Sequence, residues 1–143
     1  MKSILSFISV FFLYSILLSS GCGKGNDGGG GGGGGTTEAN LVVTTNPSNG
    51  SVQAPALGPN FDLSVSVTSA MPPSGVKIEI SAKKDDGTNP PAFFTQTVNT
   101  SSAVTNFSIT GSPVASQCLV DVKVTSLTKA TNVWTGSYCY SRK

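Results

Sequence analysis

Phe61-Asp62-Leu63-Ser64-Val65-Ser66-Val67-Thr68 alternates apolar and polar residues without a break over eight positions. In a β-strand successive side chains point to opposite faces, so this stretch puts Phe61, Leu63, Val65 and Val67 on a buried face and Asp62, Ser64, Ser66 and Thr68 on a wet one. A second run behaves the same way. Val76, Ile78, Ile80 and Ala82 alternate with Lys77, Glu79, Ser81 and Lys83. Between the two lies Met71-Pro72-Pro73-Ser74-Gly75, a turn by composition.

Outward from this pair, the same texture predicts further strands over Leu41–Thr45, Phe93–Val98, Val104–Thr110, Cys118–Thr125 and Val133–Tyr140. Ser51–Ala54 reads as a short edge continuation of the first strand, after the turn Asn46-Pro47-Ser48-Asn49-Gly50. All eight prolines fall between the strands, where no ladder donor is missed. No stretch of more than a few residues carries a helical period, which disfavours parallel βαβ folds. The fold class expected is all-β: seven strands in an antiparallel sandwich over residues 40–143. Seven short strands in that length resemble an immunoglobulin-like or fibronectin type III-like module in layout. The second strand lacks a cysteine and the third has Ile78 and Ile80 where antibody domains keep a buried Trp, so an antibody-type domain is excluded.

Composition limits what such a domain can do. Charged residues make up 11% of the 143, and nine Lys and Arg against seven Asp and Glu leave a net charge of +2 with no basic block. Nucleic acid is therefore not an expected partner. The chain has no histidine, which removes imidazole bases and most zinc sites. Asp85-Asp86-Gly87-Thr88-Asn89 could offer oxygens to calcium, but an Asp-Gly turn accounts for it without a metal. Asp62, Glu79 and Asp121 lie on separate strands with no sign of convergence into a glycosidase pair. No enzyme, cofactor or metal site is expected.

Residues 1–21 have the form of an export signal: Lys2, then an apolar stretch from Ile4 to Leu18 that is too short to span a bilayer, then Ser19-Ser20-Gly21 before Cys22. This ending resembles the lipobox of bacterial lipoproteins, although the family prefers Leu where Ser19 stands. The resemblance implies cleavage before Cys22 and acyl chains on its sulfur, so that the membrane is a partner through lipid. The family's commonest inner-membrane retention signal, an Asp directly after the cysteine, is missing, which favours the outer membrane. The segments Gly58-Pro59-Asn60-Phe61-Asp62 and Asn132-Val133-Trp134-Thr135-Gly136-Ser137-Tyr138 are similar in texture to small lipoproteins of Bacteroidota. Residues 22–39 hold the glycine run Gly28–Gly35. A segment of this composition behaves as a flexible coil, and the fourteen residues between Cys22 and Thr37 have a root-mean-square reach of roughly 20 Å.

Acylation of Cys22 would leave Cys118 and Cys139 as a pair at opposite ends of the last hairpin. A disulfide between them is expected in an oxidising compartment. Alternation opposes it, because Cys118 shares a face with Val120, Val122 and Val124, whereas Cys139 shares one with Thr135 and Ser137. A β-bulge near Gly136 would bring the sulfurs to one side, and two free thiols or an intermolecular bond are the alternatives. Trp134, Tyr138 and Tyr140 share the other face of the final strand. They either fill the core or form an exposed aromatic platform for a glycan. The function expected is a lipid-anchored envelope protein with a non-catalytic binding or structural sandwich, whose ligand is an unknown protein or glycan; the alternative is a small carbohydrate-binding lipoprotein that uses the platform.

Overall fold

The computed structural model describes residues 38–143, so the signal segment, Cys22 and the glycine run lie outside the described residues. Seven strands follow one another: β1 (Val43–Asn46), β2 (Phe61–Val67), β3 (Val76–Lys84), β4 (Phe94–Thr100), β5 (Val104–Ile109), β6 (Ser116–Ser126) and β7 (Val133–Arg142). They pair antiparallel in two sheets, β1-β2-β5 and β4-β3-β6-β7. The expected seven-stranded antiparallel β-sandwich is therefore the fold. Because β4 hydrogen-bonds to β3 rather than to β5, the sheets divide three and four with the larger one on the β4 side.

The alternation that defines β2 and β3 is what closes the sandwich. Leu63, Val65 and Val67 of β2 and Val76, Ile78, Ile80 and Ala82 of β3 are all buried, with Phe107 and Ile109 from β5 and Val120, Val122 and Val124 from β6 completing the layer. Each strand buries one face only, since its odd and even residues cannot both meet the opposing sheet. The turn into β3 requires Gly75: its φ is +81°, and a Cβ there would stand 2.5 Å from the Thr100 carbonyl oxygen.

The segment after β1 departs from the expectation. Pro47 has no N–H to continue the ladder with β2, and the chain crosses to the other sheet instead of prolonging the first strand. The Asn46–Pro47 peptide is cis. Residues 50–56 then run parallel along the outer edge of β7. Gly50 donates to the Ser137 carbonyl at 2.7 Å, Cys139 donates to Ser51 at 2.9 Å, Gln53 donates to Cys139 at 2.9 Å and Ala56 donates to Ser141 at 3.1 Å. The β7 edge is thereby closed.

Leu41 precedes β1 rather than belonging to it, yet it is buried and its place is fixed by one side chain. Asn132, in the β6–β7 turn, accepts the Leu41 N–H on Oδ1 at 2.9 Å. Its amide donates to the Ala39 carbonyl at 2.8 Å and to Glu38 Oε1 at 2.5 Å. Asn132 is itself buried, so these bonds satisfy its donor and acceptor capacity away from water.

The expected disulfide does not form. The β6–β7 ladder runs without a bulge, pairing Leu119 with Cys139, Cys118 with Tyr140 and Val122 with Gly136. Cys118 and Cys139 therefore lie on opposite faces of the sheet and are free thiols, Cys118 buried and Cys139 partly exposed. Gly136 serves a different purpose from the bulge expected of it: the Trp134 ring lies over it, and a Cβ at 136 would stand 2.4 Å from Trp134 Cη2 and 2.8 Å from Asn49 Oδ1. Burial pushes the Cys118 thiol above its ordinary pKa, which keeps it protonated.

At the other end of β7, Tyr138 and Tyr140 turn inward and are 3% and 2% exposed. The Tyr140 ring packs on Phe61 with centroids 4.2 Å apart. Its hydroxyl is hydrogen-bonded to the buried Ser112 hydroxyl. The Tyr138 hydroxyl, also buried, meets no protein partner. Burial pushes both phenols up, Tyr140 to about 12.

Two outcomes follow from this packing. In native buffer a maleimide should label Cys139 and spare Cys118, and denaturant should expose Cys118; peptide mapping by mass spectrometry reads both, and equal native labelling would contradict the register. Tyr140→Phe strands the Ser112 hydroxyl and should cost about 1–3 kcal/mol in urea unfolding. Tyr138→Phe removes only an unpartnered hydroxyl, so its stability should stay within about 0.5 kcal/mol of the native chain or rise.

Candidate functional site

The outward face of the four-stranded sheet collects the polar halves of four alternating strands. Register decides which of them meet. Across the sheet Thr97, Glu79, Lys123 and Thr135 form one row, and Thr95, Ser81, Asp121 and Ser137 form the next. On either side lie the rows Asn99, Lys77, Thr125, Val133 and Lys83, Leu119, Cys139. Neighbouring strands are about 4.8 Å apart, so each residue can reach its row partners.

Charge is paired within and between these rows. Glu79 lies between two ammonium groups, Lys77 Nζ at 3.2 Å and Lys123 Nζ at 3.7 Å. The hydrogen bond from Lys77 is the main reason its carboxyl is held below the usual carboxylate range. Lys83 Nζ stands 3.9 Å from Asp121. These pairs are solvated and contribute little to stability. They do set a pattern of alternating sign on a face whose two central rows are otherwise hydroxyls.

In the middle of the face the side chains become short. Ser81, Thr95, Thr97 and Thr135 border a trough of about 490 Å3 walled by Glu79, Asp121 and Lys123. Its rim supplies hydrogen-bond donors and acceptors together with both charge signs, over a lining that is mostly apolar and includes Ile80 and Val122. A second hollow, on the other sheet, is bordered by Asn46, Ser64, Asn106 and Ser108, with Asp62 as its one charged wall.

The aromatic platform does not form. Tyr138 and Tyr140 are in the core, and Trp134 is half-buried against it with its ring over Gly136. All three have the parity of the inner face, which leaves Val133, Thr135, Ser137, Cys139 and Ser141 with the outward parity of β7. The carbohydrate reading built on those rings loses its stacking surface. Phe93 and Phe94 are likewise partly buried against the core.

The acidic loop after β3 uses its oxygens locally. Asp86 accepts from the Thr88 N–H at 3.0 Å and from the Thr88 hydroxyl, and pairs with Lys84 at 3.3 Å. The Thr88 hydroxyl is the main cause of its lowered carboxyl pKa. Among the described residues no group of three His, Cys, Asp or Glu side chains could hold a metal ion.

Alternation alone marks Lys77, Glu79, Ser81 and Lys83 as outward. What sequence reading missed is their assembly with Thr97, Asp121 and Lys123, because cross-strand register has no local signal in a chain without long-range markers. Comparisons of this chain with family models, with curated proteins and with solved structures find no match, so its reading rests on the chemistry of these residues.

Proposed function

We propose that this chain is a lipid-anchored cell-envelope protein, held by acyl chains on Cys22, whose immunoglobulin-like sandwich is a non-catalytic binding head. The outer face of the four-stranded sheet is the surface it offers, and a polar protein or glycan is the ligand class that this face suits. On the lipobox resemblance the outer membrane is the site of attachment, and the glycine run is the tether.

The observation that supports a tethered head is the fastening of its first residues. Glu38, Ala39 and Leu41 are held by one buried side chain, Asn132, in the turn between the two longest strands. A segment entering from a flexible linker ordinarily frays unless something ties it down. Here the tie is polar, directional and buried, which suits a domain loaded through its N-terminus.

Two experiments test this reading. Cys22→Ala should move the protein from the membrane fraction to the soluble fraction of its bacterial host, and the intact mass of the native protein should equal residues 22–143 plus two or three acyl chains. A native mass without lipid, or a membrane-bound Cys22→Ala, refutes the anchor. Asn132→Ala should cost about 1–3 kcal/mol, since it leaves the Leu41 N–H and Ala39 carbonyl without their partner. Limited proteolysis should then cut near residues 38–42 at a rate at least tenfold above the native chain, whereas an unchanged cleavage rate would dismiss the latch.

A further inference from the structure

The four edges of the two sheets are not equally protected. Residues 50–56 cover β7, β1 is four residues long, and β5 is six residues long with Phe107 and Ile109 buried. β4 runs for seven residues, Phe94–Thr100, at the open edge of the larger sheet. Its middle residues Thr95, Gln96 and Thr97 are exposed in succession, so both faces of the strand are open there. Proteins commonly guard such an edge with lysine, proline, an inward charge or a bulge. β4 has none of these. It lies within residues 87–120, which contain no Lys, Arg, Asp or Glu at all.

We propose that the β4 edge is a self-association site, at which a second copy of this chain adds its own β4 antiparallel and joins the two four-stranded sheets into one of eight strands. The sequence of β4 suits a two-fold axis through Thr97. Full overlap sets Thr97 opposite Thr97 of the second copy, Thr95 opposite Asn99, Gln96 opposite Val98 and Phe94 opposite Thr100. Every pair is uncharged, and Thr–Thr neighbours are among the favourable cross-strand pairs.

The charges behind the edge do not oppose the approach. Glu79 is the row neighbour of Thr97, so the two copies of Glu79 would be separated by three strand spacings, about 14 Å. That exceeds the screening length of about 8 Å at physiological salt. Each Glu79 is moreover already flanked by Lys77 and Lys123. An antiparallel β4 pair directs the two N-terminal entries to opposite ends of the joined sheet. Nothing in this pairing requires the lipid anchor, but two tethers of fourteen residues, with a full extension of about 48 Å, would let such a dimer lie along a membrane.

The test uses the full-length chain with Cys139→Ser as background, in detergent or in its host membrane. Thr97→Cys should give a reducible dimer under mild oxidation, with residue 97 joined to residue 97 in the bridged peptide. Asn106→Cys, on the equally neutral edge strand β5, should not. In the native chain, Thr97→Lys sets two ammonium groups opposite each other and should weaken self-association at least tenfold in sedimentation equilibrium. At dilutions where both chains are monomeric its melting temperature should equal that of the native chain, since Thr97 is exposed. A native chain that stays monomeric at every concentration reached, bridging at 106 as readily as at 97, or a Thr97→Lys variant that associates like the native chain would each overturn the proposal.

Discussion

The unbroken ladder from β3 through β6 to β7 is the constraint on which the rest of this molecule depends. Nine successive residue pairs join β3 to β6 and ten join β6 to β7, without a bulge in either. With a side-chain period of two, such a ladder assigns every residue on three strands to a face at once. Val120, Val122 and Val124 go inward with Tyr138 and Tyr140, and Asp121 and Lys123 go outward with Thr135 and Ser137. The core, the polar rows and the separation of the two thiols are three consequences of one register. A bulge at Gly136 would have changed all of them together: sulfurs on one side, but the tyrosines between two environments.

Trp134 shows how that register is kept. A glycine within a strand weakens it, lacking a side chain to pack and favouring irregular backbone. At Gly136 the gap is filled by the Trp134 ring, which lies where a Cβ would otherwise project. Asn49 lies against the same spot and accepts the Ser137 N–H at 2.8 Å. The strap of residues 50–56 then adds backbone bonds on the far side of β7. A strand with a glycine at its centre is thus held straight from three directions: the β6 ladder, the indole ring and the strap.

How much of this could be read beforehand depends on the range of the interaction. Strands β2 and β3 were legible because alternation is a property of neighbouring residues, and Pro and Gly mark turns for equally local reasons. The crossing of residues 50–56 to the other sheet was not, since Pro47 says where a ladder stops and not where the chain goes next. For the cysteines, the alternation of Val120 to Val124 against Thr135 and Ser137 pointed to opposite faces, and the prior that paired cysteines bond in an oxidising compartment pointed the other way. Local geometry prevailed. The inward placing of Tyr138 and Tyr140 followed from parity too, but whether a sheet face is covered depends on the opposing sheet, which parity alone does not reveal. The trough beside Ser81 is illegible for the same reason: its members come from four strands that only register brings side by side.

Asn132 connects the fold to the direction from which the chain arrives. Tension applied ahead of residue 38 would act first on the Glu38, Ala39 and Leu41 contacts of Asn132, and only afterwards on the four-residue ladder of β1 with β2. That ladder is the shortest in the molecule, so without Asn132 the outermost strand would take the full load on few bonds. With it, load passes into the β6–β7 turn, where Ser126 accepts the N–H groups of Thr128 and Lys129 on its hydroxyl and donates its own N–H to the Asn132 carbonyl. The best-braced hairpin of the larger sheet thereby supports the weakest strand of the smaller one.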